Sequence, residues 1–88
     1  MEKSIFSDDY TLFLQQLRQA RKQSGLTQQQ LAERLHQTQS FVSKCERGER
    51  RLDIVEVRAF CAALGVSFPA FIEQFDENLT SRKAKSGV

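Results

Sequence analysis

Residues 26–48 read LTQQQLAERLHQTQSFVSKCERG, and this stretch decides the fold. Thr27 stands where a helix N-cap is needed, and Gln30 three residues later completes the spacing of a capping box. Leu26 and Leu31 flank that box as a hydrophobic staple. Leu31, Ala32 and Leu35 then recur at helical spacing, so one face of residues 28–35 is apolar. The pattern stops at His36-Gln37, and Thr38 offers a second N-cap. Beyond it Val42 and Cys45 form an inward i, i+3 pair, while Gln39, Ser40, Ser43 and Lys44 fall on the outward arc. Two helices across so short a turn, with a small alanine where they cross, make a helix-turn-helix.

Outward from this core the chain stays helical. Residues 1–7 read as a frayed lead, with Ser7 as a cap and Asp8 and Asp9 suited to the positive end of a first helix. Tyr10, Phe13, Leu14, Leu17, Ala20 and Arg21 repeat at three- and four-residue intervals up to about Ser24, and Gly25 suits a left-handed C-cap. After a loop at Gly48-Glu49-Arg50-Arg51, the start signal returns with Asp53 as cap, Glu56 at the box position, and Leu52 and Val57 as staple. Val57, Phe60, Cys61 and Leu64 face inward on a fourth helix that Gly65 ends. Ser67 opens a fifth, with Pro69 in its first turn. From Asp76 the apolar pattern dissolves, which predicts a domain over residues 1–76 and a disordered C-terminal tail over residues 77–88. The fold class is all-α, a compact bundle of five helices.

Eighty-eight residues allow one domain with a modest core. The net charge of +2 says little about a partner by itself. More telling is its placement: Lys44, Arg47, Arg50 and Arg51 lie close together, diluted by Glu46 and Glu49. Two cysteines and one histidine lack the paired short spacing of a zinc motif, so no metal or cofactor is expected. Cys45 and Cys61 sit at inward positions and pack as small hydrophobes. No apolar run reaches the length of a membrane span and no secretory segment opens the chain, so a cytoplasmic setting with reduced thiols is expected. Nor is there a nucleophile beside a base or a cluster of carboxylates, which argues against an enzyme.

The chain resembles the phage-repressor-like (Xre/Cro-type) helix-turn-helix family over roughly residues 10–75. The elements that carry the likeness are Leu17-Arg18-x-x-Arg21, Gly25-Leu26-Thr27-Gln28, Leu31-Ala32, Val42-Ser43-Lys44, Glu46-x-Gly48 and Leu64-Gly65-Val66-Ser67. The resemblance implies a lambda-repressor-like domain with the helix-turn-helix at its second and third helices. It makes residues 38–47 the recognition helix, sets Gln28 against a DNA phosphate, and pairs Arg21 with Glu46. The chain departs from the family pattern at His36, where glycine is usual, at Phe41, usually small, and at Cys45, usually a larger aliphatic.

The functional expectation is a sequence-specific DNA-binding regulator, a repressor by promoter occupancy, acting as a homodimer on a two-fold operator. Gln39, Ser40, Ser43 and Lys44 would read the major groove, Gln39 toward adenine and Lys44 toward guanine. Arg21, Gln28, Thr38, Arg47, Arg50 and Arg51 would meet phosphates. Phe41 either packs beneath the loop after the recognition helix or touches a thymine methyl. Phe68, Phe71, Ile72 and Phe75 exceed what so short a fifth helix can bury, so Phe71 is the expected inward anchor and Phe68, Ile72 and Phe75 the expected dimer contact. The alternative is a protein-interaction module, an antitoxin or adaptor that meets its partner through the fifth helix or the tail.

Overall fold

The computed structural model describes residues 5–86, with side chains over residues 8–82. The expectations for residues 1–4 and 87–88 lie outside the described residues. Five helices follow one another: α1 (Ile5–Gln23), α2 (Gln28–Leu35), α3 (Gln39–Arg47), α4 (Ile54–Leu64) and α5 (Phe68–Ser86). No strand occurs among the described residues.

The expected caps form. Gln30 donates its backbone N–H to Thr27 Oγ1 at 3.1 Å, and Thr27 donates its own to Gln30 Oε1 at 2.9 Å. Asp53 and Glu56 repeat the arrangement at 2.8 and 2.9 Å. Thr38 accepts from the Phe41 N–H at 3.1 Å, which starts α3 directly after the turn. The turn itself rests on His36, whose φ of 58° and ψ of 40° are left-handed. A side chain at such a position is strained relative to glycine.

Each helix turns most of its apolar residues to one shared centre. Leu17, Leu31, Ala32, Val42, Cys45 and Cys61 are fully buried there, with Phe60 nearly so. The buried Ala32 lies in α2 where that helix packs against α3. Phe41 extends the core, half-buried with its ring 6.3 Å from that of Phe60, and of the loop residues Arg50 lies over it. Gly48 ends α3 at φ 83°, and a Cβ built there would stand 3.1 Å from Leu14 Cδ1, so the absent side chain also permits a close approach of α3 to α1.

The structure corrects both ends of the expected domain. α1 begins at Ile5, so Ser7 lies inside the helix rather than capping it, and Asp8 falls in the first turn. α5 runs nineteen residues to Ser86, so residues 77–86 are helical and not a disordered tail. An apolar stripe is what docks a helix; its loss does not end one. Residues 70–86 contain neither glycine nor proline, and nothing in them breaks the hydrogen-bond ladder. Tertiary contacts hold the extension: Asn78 Nδ2 donates to Gln16 Oε1 at 3.2 Å, and Arg82 approaches Asp8 at 3.5 Å and Asp9 at 3.9 Å. No single described helix is long and apolar enough to cross a membrane.

Cys45 and Cys61 are both buried, and loss of solvent pushes each thiol above its ordinary value. A raised thiol keeps less thiolate at any given pH, and the thiolate is the reactive form. A disulfide-exchange reagent at pH about 8 is therefore expected to leave the folded protein unmodified and to titrate both cysteines once denaturant is added. Fast modification of the native protein would place a thiol outside the core.

Candidate nucleic-acid interface

The geometry of the candidate interface begins with a buried carboxylate. Glu46 is 2% exposed and sits on the inner face of α3. Its two oxygens accept a fork from Arg21 of α1, Nε at 2.6 Å and Nη2 at 3.0 Å. Such a bidentate pair fixes orientation as well as distance. Arg21 Nη1 goes to the Leu26 carbonyl at 2.9 Å, and Gln28 Nε2 donates to Glu46 Oε1 at 2.9 Å. Arg18 Nη1 donates to the Glu46 main-chain carbonyl at 2.8 Å. Helices α1, α2 and α3 are thus keyed together at one point, and α3 is held in a single rotation about its axis.

That rotation sets what α3 shows. Gln39, Ser40 and Lys44 are exposed and Ser43 is half-buried, while Val42, Cys45 and Glu46 face the core. Gln39 Nε2 lies 3.5 Å from Gln28 Oε1, a long contact that ties the first residue of α3 to the first of α2. The four expected base readers therefore share one face.

The expected phosphate set divides. Arg21 leaves it: its side chain is 12% exposed and its guanidinium is committed to Glu46 and Leu26. The reason is physical, since a buried Glu46 without its partner would be strongly unfavourable. Gln28 also turns its amide nitrogen inward, to Glu46. Thr38 is exposed, with its hydroxyl capping α3. Arg47 lies on the surface, where Glu49 takes its Nε at 2.9 Å and Nη2 at 3.2 Å and Ser43 Oγ accepts from its Nη1. Arg50 is forked onto Glu56 at 3.1 and 2.8 Å, with its guanidinium carbon 5.0 Å from the Phe41 ring centre. Arg51 stacks over Tyr10 at 4.2 Å. These hydrogen bonds hold the Glu49 and Glu56 carboxyls below the ordinary carboxylate range.

Sequence reasoning missed the two contacts that join the loop and α3 to α1: Arg18 on the Glu46 carbonyl, and Tyr10, whose hydroxyl accepts from the Leu52 N–H at 3.1 Å. Only helical periodicity, which set Tyr10 beside Phe13 on the inward face, pointed toward the second. On α5, Phe71 is buried as expected. Phe68 and Phe75 are half-buried against the core, with Phe75 edge-on to Phe13 at 6.0 Å, and Ile72 is exposed.

A family model described as "Helix-turn-helix domain" matches residues 12–73. No curated protein matches the chain. Among solved structures, an "XRE-family like protein" from Pseudomonas syringae pv. tomato str. DC3000 is similar at 41% identity, covering 83% of this chain and 89% of its own, with a TM-score of 0.80. The span of the family match and the likeness in both sequence and shape lead to one conclusion: the chain belongs to the helix-turn-helix family of the Xre type.

Proposed function

We propose that this protein is a sequence-specific DNA-binding regulator that represses by occupying a promoter. The observation that carries the reading is the polar face of α3, Gln39, Ser40, Ser43 and Lys44, presented by a helix whose rotation the buried Arg21–Glu46 pair holds fixed. A recognition helix needs that rigidity, because base-edge hydrogen bonds tolerate little angular error. Gln39 pairs with adenine and Lys44 with guanine, the combinations these side chains favour in the major groove. Thr38, Arg47, Arg50 and Arg51, together with Gln28 at the start of α2, meet phosphates on either side.

One short helix reads few base pairs, so the protein works as a homodimer on two half-sites about one helical turn apart. Ile72 supplies the exposed apolar contact, flanked by the partly exposed edges of Phe68 and Phe75. The partner is double-stranded DNA, the setting cytoplasmic, and the role regulatory rather than enzymatic. Supporting this reading are the family match and the absence of any catalytic pattern in the sequence. A protein-interaction module predicts otherwise: such a domain scarcely binds random duplex, and its binding lacks a steep salt dependence.

Selection from a random duplex library tests the reading, followed by titration of the selected site. Lys44→Ala is expected to relax preference at one position per half-site and to weaken the cognate site by roughly 1–3 kcal/mol. A uniform loss over all sequences would remove Lys44 from the base readers.

A further inference from the structure

The loop that closes α3 has the cations of a phosphate clamp, yet its two forked arginines already hold anions. Over residues 44–56 the four cations Lys44, Arg47, Arg50 and Arg51 are matched by Glu46, Glu49, Asp53 and Glu56. Glu46 belongs to the buried pair and Asp53 caps α4. Glu49 is different. It is exposed, caps nothing, and grips Arg47 through two parallel N–H···O bonds of 2.9 and 3.2 Å, the same fork an arginine offers a phosphate. The two side chains are 53% and 56% exposed, so the pair is worth little and can exchange. Glu56 grips Arg50 in the same way but also accepts from the Asp53 N–H at the start of α4, which ties it to the fold.

We propose that Glu49 is a positioning residue that stands in for phosphate on Arg47 in the free protein. DNA phosphates must displace it, and this damps the sequence-independent part of binding. The proposal rests on the DNA-binding reading above. The same exchange touches base reading. Arg47 also donates to Ser43 Oγ, so moving Arg47 onto a phosphate returns that hydroxyl's acceptor capacity to the groove face. Glu49 acts through Arg47 and is a positioning residue, not a contact to DNA.

The test is binding of the full chain to a random-sequence duplex by anisotropy over a range of salt. Glu49→Gln is expected to bind about three- to tenfold tighter at low salt, with a slope of log K against log salt near that of the wild type, because Arg47 reaches the same phosphate in both. In an Arg47→Ala background the same substitution is expected to leave affinity unchanged. A second readout follows the carboxyl by NMR: Glu49 titrates below the ordinary range in the free protein, because Arg47 hydrogen-bonds it, and rises when duplex is added. Three results overturn the proposal: no effect of Glu49→Gln on wild-type binding, an equal gain with Arg47 removed, or a carboxyl titration that duplex leaves unmoved. The failure of the broader reading looks different. There the wild type binds no duplex at any salt, and the proposal falls with it.

Discussion

Glu46→Ala is expected to lower the stability of the folded chain by about 3–5 kcal/mol, a large share of what a domain of this size has. The carboxylate is 2% exposed and accepts three hydrogen bonds, two from Arg21 and one from Gln28. Removing it leaves an Arg21 side chain only 12% exposed, with Nε and Nη2 unmatched. That penalty, rather than the net worth of the pair, makes the loss large. Replacing both partners together by apolar residues of similar size, Arg21→Met with Glu46→Leu, is expected to restore most of the stability, because no charge is then stranded. The double variant should nonetheless bind DNA poorly, since α3 loses the fork that orients it. Urea denaturation of the two variants checks the argument. A single variant that lost less than about 1 kcal/mol would show that the pair is solvated in solution and does not key α3.

Ile72→Glu is expected to abolish dimerisation and to reduce affinity for a two-half-site operator on the order of 10²–10⁴-fold, the advantage of binding the second half-site intramolecularly. Ile72 is 37% exposed on α5, so a charge there should leave folding within about 0.5 kcal/mol of wild type. Phe75 is a poorer choice than its place in the sequence suggests. Its ring packs edge-on against Phe13, and a carboxylate at that position would disturb the core before it reported on association. Sedimentation at micromolar concentration, paired with titration of a single half-site, separates the effects. A monomeric wild type, or a variant that still dimerises, moves the interface off this helix. A half-site affinity that falls as steeply would point to damage within the protomer.

What could be read in the sequence were the features written locally. Thr27 with Gln30, and Asp53 with Glu56, announce helix starts because the bonds they make span three residues. The turn at His36 was legible for a similar reason, from the break between two periodic stretches. The polar arc of α3 was legible because helical periodicity alone decides which residues point outward. Features that depend on distant partners were not. Arg18 and Arg21 look alike as basic residues of one helix, and only the packing of α3 against α1 gives the first a main-chain carbonyl and the second a buried carboxylate. Gln28 carries the family's phosphate position, yet its amide nitrogen turns to Glu46, eighteen residues away. The length of α5 escaped for another reason. A falling apolar pattern reads as a stop, whereas the helix continues where no glycine or proline breaks it and anchors such as Asn78 and Arg82 tie it down.

Residue 48 bears on how α3 sits against α1. With no Cβ, Gly48 lets Leu14 come within 3.1 Å of where one would be, and its left-handed backbone ends α3 at that contact. A Cβ there asks the end of the Leu14 side chain to give by a few tenths of an ångström, and where it cannot, the added group is a wedge between α3 and α1 at one end of a rod about 13 Å long. A wedge at the rear of a rod moves its tip sideways, and the tip is where Gln39 and Ser40 stand. Hydrogen bonds to base edges fail with displacements well under an ångström, so the target a protein of this shape prefers can be shifted from a position that touches no nucleotide.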